Sequence, residues 1–575
     1  MFPKTMRHRG GPGTRKEFFM NKKMIALLMA ALMALSMLAG CSNDSQQAQA
    51  SDQGTPPVSS SGGGTENADK ENPAEAPSEP AGEKDTFTIA ISYMPDSLAP
   101  STGGSDDYTS ITRPIYDRFF LENNQGGIDY YLADQLDISE DGLTYTMHIR
   151  DDANWSDGTP ITTQDILFTY DYYMLRNGRV SWGAVNGQPV TMTVKDDKTM
   201  EFVLPEPYAY YIVSLSGTVI FPSHVFGGDA QKMMDDQSMY STTAIVTSGP
   251  YTVKEINPDS IVFEARQDYY RGVPPVKNVV MKVIGSGSTR AISFENGEID
   301  YMRLTTAEEI EKYSAQSDKY NMYSFSEARL NYLQVNPFGP AALTEEQRQA
   351  LFYAIDCQQV IDGAYGSDQL AQPANSILTP DLSLYDPNCK SYTQDLEKAK
   401  ELAKSSGLEG KTLVYVYNAD RPNMEAVAVV LQQQLAQIGV NLQIEGLDSS
   451  TFFPRFFAML YKSGQENTWD LGTNGWDSMR GRTLNQAYSY LNRTDGAWGF
   501  SEDIGQKAFK INTLTDLDEA KALAAEVQQQ ALEEFWIYPL TYTNYVMVSQ
   551  KNVTGLDCTP IVPEFADYMG ISVNG

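Results

Sequence analysis

Three stretches of this 575-residue chain predict a mixed α and β fold. Leu413 to Tyr417, a helical stretch from about Glu425 to Ile438, then Gly439 and Val440 to Ile444 read as strand, helix, strand. A crossover helix of that length joins parallel strands, because a short turn can only join antiparallel ones. Thr144 to Arg150 alternates with period two, setting Tyr145, Met147 and Ile149 on one face and His148 on the other, solvent-facing side. Thr344-Glu345-Glu346-Gln347 is a capping box opening a helix whose Leu351, Ala354 and Ile355 share a face.

The elements follow in chain order. Lys22-Lys23 and the apolar run Met24 to Leu38 precede Leu38-Ala39-Gly40-Cys41. Basic end, greasy segment and small residues are the layout of a secretory signal peptide over residues 1–40. The run is shorter than the roughly 20 residues that span a bilayer. A Cys directly after Ala-Gly resembles the lipobox of bacterial lipoproteins, which implies a lipidated Cys41 anchoring the chain to the outer face of the cytoplasmic membrane. Ordinary secretion with an incidental Cys is the other reading. Residues 1–19 hold Arg7, Arg9, Arg15 and Lys16 among Gly and Pro, and Met20 opens a tidier signal, so Met20 is the expected start.

Residues 41–84 are Ser, Gly, Pro, Ala, Gln and acidic residues without an aromatic. Such a stretch cannot bury enough apolar area to order itself and reads as a hydrated tether. Order is expected from the alternating strand Thr86 to Ile91. Further along, Asp395 to Ser405 reads as a helix stopped by Gly407, and Glu519 to about Trp536 as a long helix closed by Pro539.

Composition narrows the chemistry. Hydrophobic content of 41% with 11% aromatics is that of a globular protein. The 34 tyrosines suit clefts that grip varied ligands, and equally suit half-buried sheet surface. Net charge is −31, and near −37 beyond residue 40, because residues 1–40 carry seven Lys/Arg and one Glu. A surface of that sign repels phosphate backbones, so no nucleic-acid partner is expected. Beyond Cys41 only Cys357, Cys389 and Cys558 remain, too few for a disulfide framework. Cys357 is read as packed in an apolar helix rather than reactive.

Catalytic patterns are missing. There is no Gly-x-Ser-x-Gly elbow, no lysine with a serine three residues before it, no Walker A loop and no Gly-x-Gly-x-x-Gly. Two histidines beyond residue 40, His148 and His224, make a zinc or copper site improbable. Asp106-Asp107 and Asp151-Asp152 read as solvated turns rather than acid/base pairs. No catalytic residue, metal site or cofactor is expected; the pattern is that of a binder.

Several blocks then resemble the family 5 extracellular solute-binding proteins of ABC importers. They are Gly142 to Arg150 with Trp155-Ser156-Asp157-Gly158-Thr159-Pro160-Ile161-Thr162 and Asp165, then Ser248-Gly249-Pro250-Tyr251, Asp268-Tyr269-Tyr270-Arg271-Gly272 and Asn296-Gly297-Glu298-Ile299-Asp300. Arg348 to Asp356, Gln432 to Gly439, Gly475-Trp476 and Ile537-Tyr538-Pro539-Leu540 complete the set, with Cys357 where the family usually has Arg. On its own chemistry, the 155–160 block is a turn that shapes a domain and touches no ligand.

The resemblance implies a periplasmic-binding-protein-like (type II) fold of two lobes with an extra domain inserted in the first. Lobe I would be 85–120, 246–328 and 542–575, the insert 121–245, and lobe II 329–541. It implies a monomeric lipoprotein that captures a solute by lobe closure and hands it to an ABC permease, a peptide being the leading ligand. A saccharide, a metal chelate or a signalling peptide are the alternatives within binding; an exported peptidase and an adhesin are the other classes. Trp476 matches the family's tryptophan near the cleft, and the aspartate that peptide-binding relatives carry three residues later is Met479 here. Asp477 or Arg480 is expected to meet a charged ligand group, and Tyr93, Asn331, Tyr332 and Gln334 are further cleft candidates by position.

Overall fold

The computed structural model describes residues 85–574, apart from 101–105, 123–127, 209–210, 286, 462–466, 478–490, 492–497 and 558–566. The expected signal, Cys41, the tether, Met479 and Arg480 lie outside the described residues.

In chain order the elements that matter are β1 (Thr86–Ile91), β2 (Ala133–Ile138), β3 (Thr144–Ile149), α1 (Thr163–Asn177), β4 (Thr191–Val194) and β5 (Thr199–Val203). Next come β6 (Tyr251–Asn257), β7 (Ser260–Ala265), β8 (Asn278–Val283), β9 (Tyr301–Leu304) and β10 (Tyr320–Val335). They are followed by α2 (Glu345–Ala354), α3 (Cys357–Ala364), β11 (Thr412–Asn418), α4 (Met424–Ala436), β12 (Asn441–Leu447), β13 (Leu471–Asp477), α5 (Leu517–Glu533) and β14 (Ile537–Gln550).

Three sheets organise them. The first runs β1-β8-β7-β6, with β1 and β8 parallel. The second runs β2-β3-β5-β4 and is antiparallel. The largest runs β9-β14-β10-β13-β11-β12, with the short strand Ala371–Pro373 also on β14. In it β11 is parallel to β12, as the crossover helix α4 between them requires, and also to β13.

The burial pattern of β3 is the predicted one: Tyr145, Met147 and Ile149 are buried, and His148 stands on the wetter face 2.7 Å from Asp134. These residues join a core of their own with Phe119, Trp155, Phe202 and Tyr211. A second core packs Phe87, Ile89, Tyr251, Phe263 and Tyr568 around the first sheet. Two more cover opposite faces of the largest sheet, one holding Leu333, Leu413 and Leu431, the other Leu330, Tyr332, Phe456 and Trp476.

The Trp155 turn is built as its residues suggest. Thr159 donates to Asp157 Oδ1 at 3.0 Å, Gly158 takes φ +85°, and Trp155 Nε1 donates to Asp165 Oδ2 at 3.2 Å. Asp165 in turn closes the capping box of α1 by accepting the Thr162 N–H at 2.9 Å. Gly249 is a close approach: a Cβ there would lie 2.7 Å from both the Pro114 oxygen and the Ile115 carbonyl carbon. Only a residue without a side chain lets these two backbones touch.

Two expectations are corrected. The helix expected from Arg348 through Asp356 ends at Ala354, because Ile355 is extended and Asp356 caps a new helix, accepting from the Gln358 and Gln359 N–H groups. Cys357 opens that helix, its thiol donating to the Tyr538 hydroxyl at 3.7 Å, and burial pushes its pKa up to about 12. Pro539 does not close α5; that helix stops at Glu533, and Pro539 lies inside β14 where the ladder to β10 slips by a residue. A proline is tolerated at such an irregularity because it has no N–H to lend the ladder.

Candidate functional site

β10 and β14 are the longest strands described, and they run side by side from the second core into the two cores of the largest sheet. Their ladder is broken between Ser326 and Arg329 and again between Asn331 and Tyr332. At the first break Ala328 sits at φ +46°, a left-handed conformation unusual for a residue with a Cβ, and its N–H donates to Ser326 Oγ at 3.0 Å. The bulge turns the following residues toward a cavity of about 210 Å³.

The lining of that cavity includes Arg303 and Leu304 of β9, Glu327, Arg329 and Asn331 of β10, Tyr365, Thr543 of β14, and the stretch from Arg421, in the loop after β11, to Met424, the first residue of α4. Arg303 pairs with Glu327 at 2.7 Å and lies over the Tyr545 ring at 4.7 Å. Asn331 Nδ2 donates to Tyr365 Oη and to Thr541 Oγ1, both at 3.4 Å, and burial raises the Tyr365 pKa. Arg329 Nε donates to Asn331 Oδ1 at 3.4 Å. Gly475 makes room for both: a Cβ there would lie 2.6 Å from Asn331 Oδ1 and 2.9 Å from Arg329 Nε. The Arg421 guanidinium lies 5.9 Å from the Phe453 ring and forms no ion pair among the described residues.

The residues singled out in sequence fall into separate environments. Asn331 lines the cavity. Tyr332 and Trp476 pack on each other with ring centres 4.5 Å apart in the core on the opposite sheet face, Trp476 being 3% exposed. Gln334 is buried with its Nε2 donating to the Val335 carbonyl at 2.6 Å. Tyr93 stands exposed beyond β1 and does not line the cavity. The register sets Asp477 opposite Arg329, but its side chain lies outside the described residues.

Sequence reasoning missed Arg303, Glu327, Arg329, Arg421 and Thr543. One signal was available for Arg421: it follows the carboxyl end of a strand flanked by parallel neighbours, where open α/β sheets place ligands. Among the described residues no group of three or more His, Cys, Asp or Glu is placed to hold a metal ion. No described helix is long and apolar enough to cross a membrane.

Residues 128–498 match the family "bacterial extracellular solute-binding proteins, family 5 Middle". The chain is 22% identical over 510 residues to the probable D,D-dipeptide-binding periplasmic protein DdpA of Escherichia coli, covering 84% of this chain and 93% of that one. The crystal structure of the ABC transporter substrate-binding protein CtaP of Listeria monocytogenes superposes with a TM-score of 0.76 at 26% identity, over 86% of this chain and all of the other. The periplasmic binding protein DppA of Helicobacter pylori, solved with the peptide STSA, gives a TM-score of 0.70 at 22% identity, over 85% and 98% of the two chains. The fold is the type II periplasmic-binding-protein fold of these neighbours. With a family match over well more than half its length, this chain belongs to the family 5 bacterial extracellular solute-binding proteins.

Proposed function

We propose that this protein captures a peptide in the cavity between β9, β10, β14 and the Arg421 loop, closes over it, and delivers it unaltered to the membrane permease of an ABC importer. The observation that carries the reading is the cavity itself, about 210 Å³ between the paired long strands and a loop from the far side of the sheet. Guanidinium groups beside a polar, hydrogen-bonded wall suit a peptide, whose carboxylate takes a bidentate donor and whose main chain takes Asn and Thr side chains. Family membership and peptide-named relatives point the same way.

Residues 85–120, 246–328 and 542–575 form lobe I in this proposal, 121–245 the insert and 329–541 lobe II. Cys41 carries the lipid that tethers a monomer to the outer face of the cytoplasmic membrane. The long paired strands act as the hinge, because few backbone connections cross between the halves there.

Protein unfolded in guanidinium and refolded without ligand, then titrated with a short unmodified peptide, gives binding heat and a smaller radius of gyration by X-ray scattering. The peptide is recovered intact. Arg421→Ala weakens binding about tenfold or more, the loss of a charge-assisted bond of about 1.5–3 kcal/mol. Neither heat nor compaction with any peptide, or cleavage of the peptide, overturns the proposal.

A further inference from the structure

Thr541 and Thr543 stand two residues apart on one face of β14, and their hydroxyls are placed very differently. Thr541 Oγ1 accepts from Asn331 Nδ2 at 3.4 Å and lies 3.5 Å from Tyr365 Oη. Thr543 is 7% exposed, and its Oγ1 is closed off from solvent with no hydrogen-bond partner among the described residues. Of the two, only Thr543 lines the cavity. A buried polar atom left open in this way is uncommon and destabilising, and it fits a site completed by a ligand.

The surroundings offer that hydroxyl nothing. The Thr543 backbone is paired on both sides, with Arg329 of β10 and with Ala371 of the short strand, so the residue is fixed within the sheet. Ala371 has no polar side-chain group to lend. Asn331 Nδ2 and the Tyr365 hydroxyl, the neutral polar groups of the lining nearest in register, are directed at Thr541 and at each other. A turn about χ1 to the next staggered position exchanges the Thr543 hydroxyl with its methyl group, which brings the oxygen to the cavity wall. Valine has the same shape without the hydroxyl, so stability alone gives no reason for threonine here.

We propose that Thr543 is a ligand-binding residue whose hydroxyl turns into the cavity and hydrogen-bonds a neutral main-chain amide of the captured peptide. This rests on peptide capture in the cavity proposed above. A hydroxyl both donates and accepts, as an amide group does. A carboxylate only accepts, and Arg421 in the same lining is the stronger partner for it.

The test uses the refolded, ligand-free protein, calorimetry with Ala-Ala-Ala, and urea unfolding of the same preparations. Thr543→Val binds the peptide about threefold or more weakly than the parent, and Thr543→Ser, which keeps the hydroxyl, binds close to it. Without ligand, Thr543→Val unfolds at the same or a higher urea concentration, because it loses a polar atom that had no partner. Thr541→Val unfolds at a lower one, because it strands Asn331 and Tyr365. The ratio between parent and Thr543→Val is the same at low and high salt, since neither bonded group is charged. Equal binding by parent and Thr543→Val overturns the role of Thr543 and leaves peptide capture intact. A lowered urea midpoint for Thr543→Val overturns it too, by giving the hydroxyl a structural partner. A ratio that collapses in salt overturns the assignment to a neutral amide. Absence of binding heat with the parent protein overturns peptide capture, and this inference with it.

Discussion

Arg266→Ala is expected to cost about 3–5 kcal/mol of folding stability, because it strips the donor from several buried carbonyls at once. Arg266 follows β7, and its side chain is 3% exposed. Its Nη1 donates to the carbonyls of Thr247 and Gly249 at 3.4 and 3.3 Å, and its Nη2 to those of Asn154 and Trp155 at 3.0 and 3.2 Å. The same guanidinium holds Asp268 in a two-point pair at 3.1 Å on both oxygens. Four carbonyls from two distant segments therefore share one cation, which rivets the Trp155 turn to the Gly249 close approach. Alanine removes all of these donors from a water-excluded place, and each carbonyl left unpaired there is destabilising by about 1–3 kcal/mol. Lysine is no rescue, because one ammonium cannot reproduce the planar fork. Asp268→Asn serves as the comparison: it takes the counter-charge from the buried Arg266 but keeps an acceptor oxygen and all four carbonyl bonds, and the Asp268 side chain is itself 56% exposed, so its cost is the smaller of the two. Urea unfolding followed by tryptophan fluorescence reads the difference. An Arg266→Ala midpoint matching that of Asp268→Asn would refute the central place given to this residue.

The blocks that marked the family are largely joints of this kind, and that is why the fold was legible in the sequence while the site was not. Thr344 and Gln347 state their own capping geometry three residues apart, and the alternation of Thr144 to Ile149 states which face is buried. Such local signals survive without knowledge of the tertiary structure. The cavity depends on bulges. From Arg329 on β10 keeps its alternation, Asn331 sharing the cavity face with Arg329 and Tyr332 the core face with Leu330, but Glu327 and Ala328 are extra ahead of it, and no local pattern states where β10 stands against β14. A slip of one residue moves a set of side chains to the other face. The break at Ala328 carries no glycine to announce it. Trp476 drew attention as a large aromatic beside a glycine, but alternation in β13 turns it into the core and leaves Gly475 as the residue that opens space for Arg329 and Asn331. Arg303, Glu327 and Arg421 come from three elements that meet only in the folded sheet.

The second large effect expected is on pH. Asp117 is 7% exposed, and its Oδ2 accepts from the hydroxyls of Tyr269 and Tyr270, each at 2.8 Å. Burial pushes its pKa up to about 6, against the lowering influence of the two tyrosine hydrogen bonds and of Arg271 and Arg266. Arg271 itself is engaged by Asp567 through two bonds of 3.1 and 2.8 Å, which limits its help to Asp117. In the unfolded chain Asp117 titrates near the ordinary 3.8, so the folded state holds its proton more tightly. The stability contributed by this proton is fully present below about pH 4 and is lost as pH rises through about 6. At about 1.4 kcal/mol per pH unit, two units of separation correspond to about 3 kcal/mol between pH 4 and pH 7. Asp117→Asn keeps the shape and two acceptor lone pairs for the tyrosines but has no proton to lose. Relative to the parent protein it should therefore gain about 3 kcal/mol on going from pH 4 to pH 7, read as the difference between paired urea midpoints. A difference that stays constant across that window would show that Asp117 does not titrate inside it. The joint would then have to be held by an ionised carboxylate whose partners, two phenols and nearby guanidinium groups, outweigh its burial.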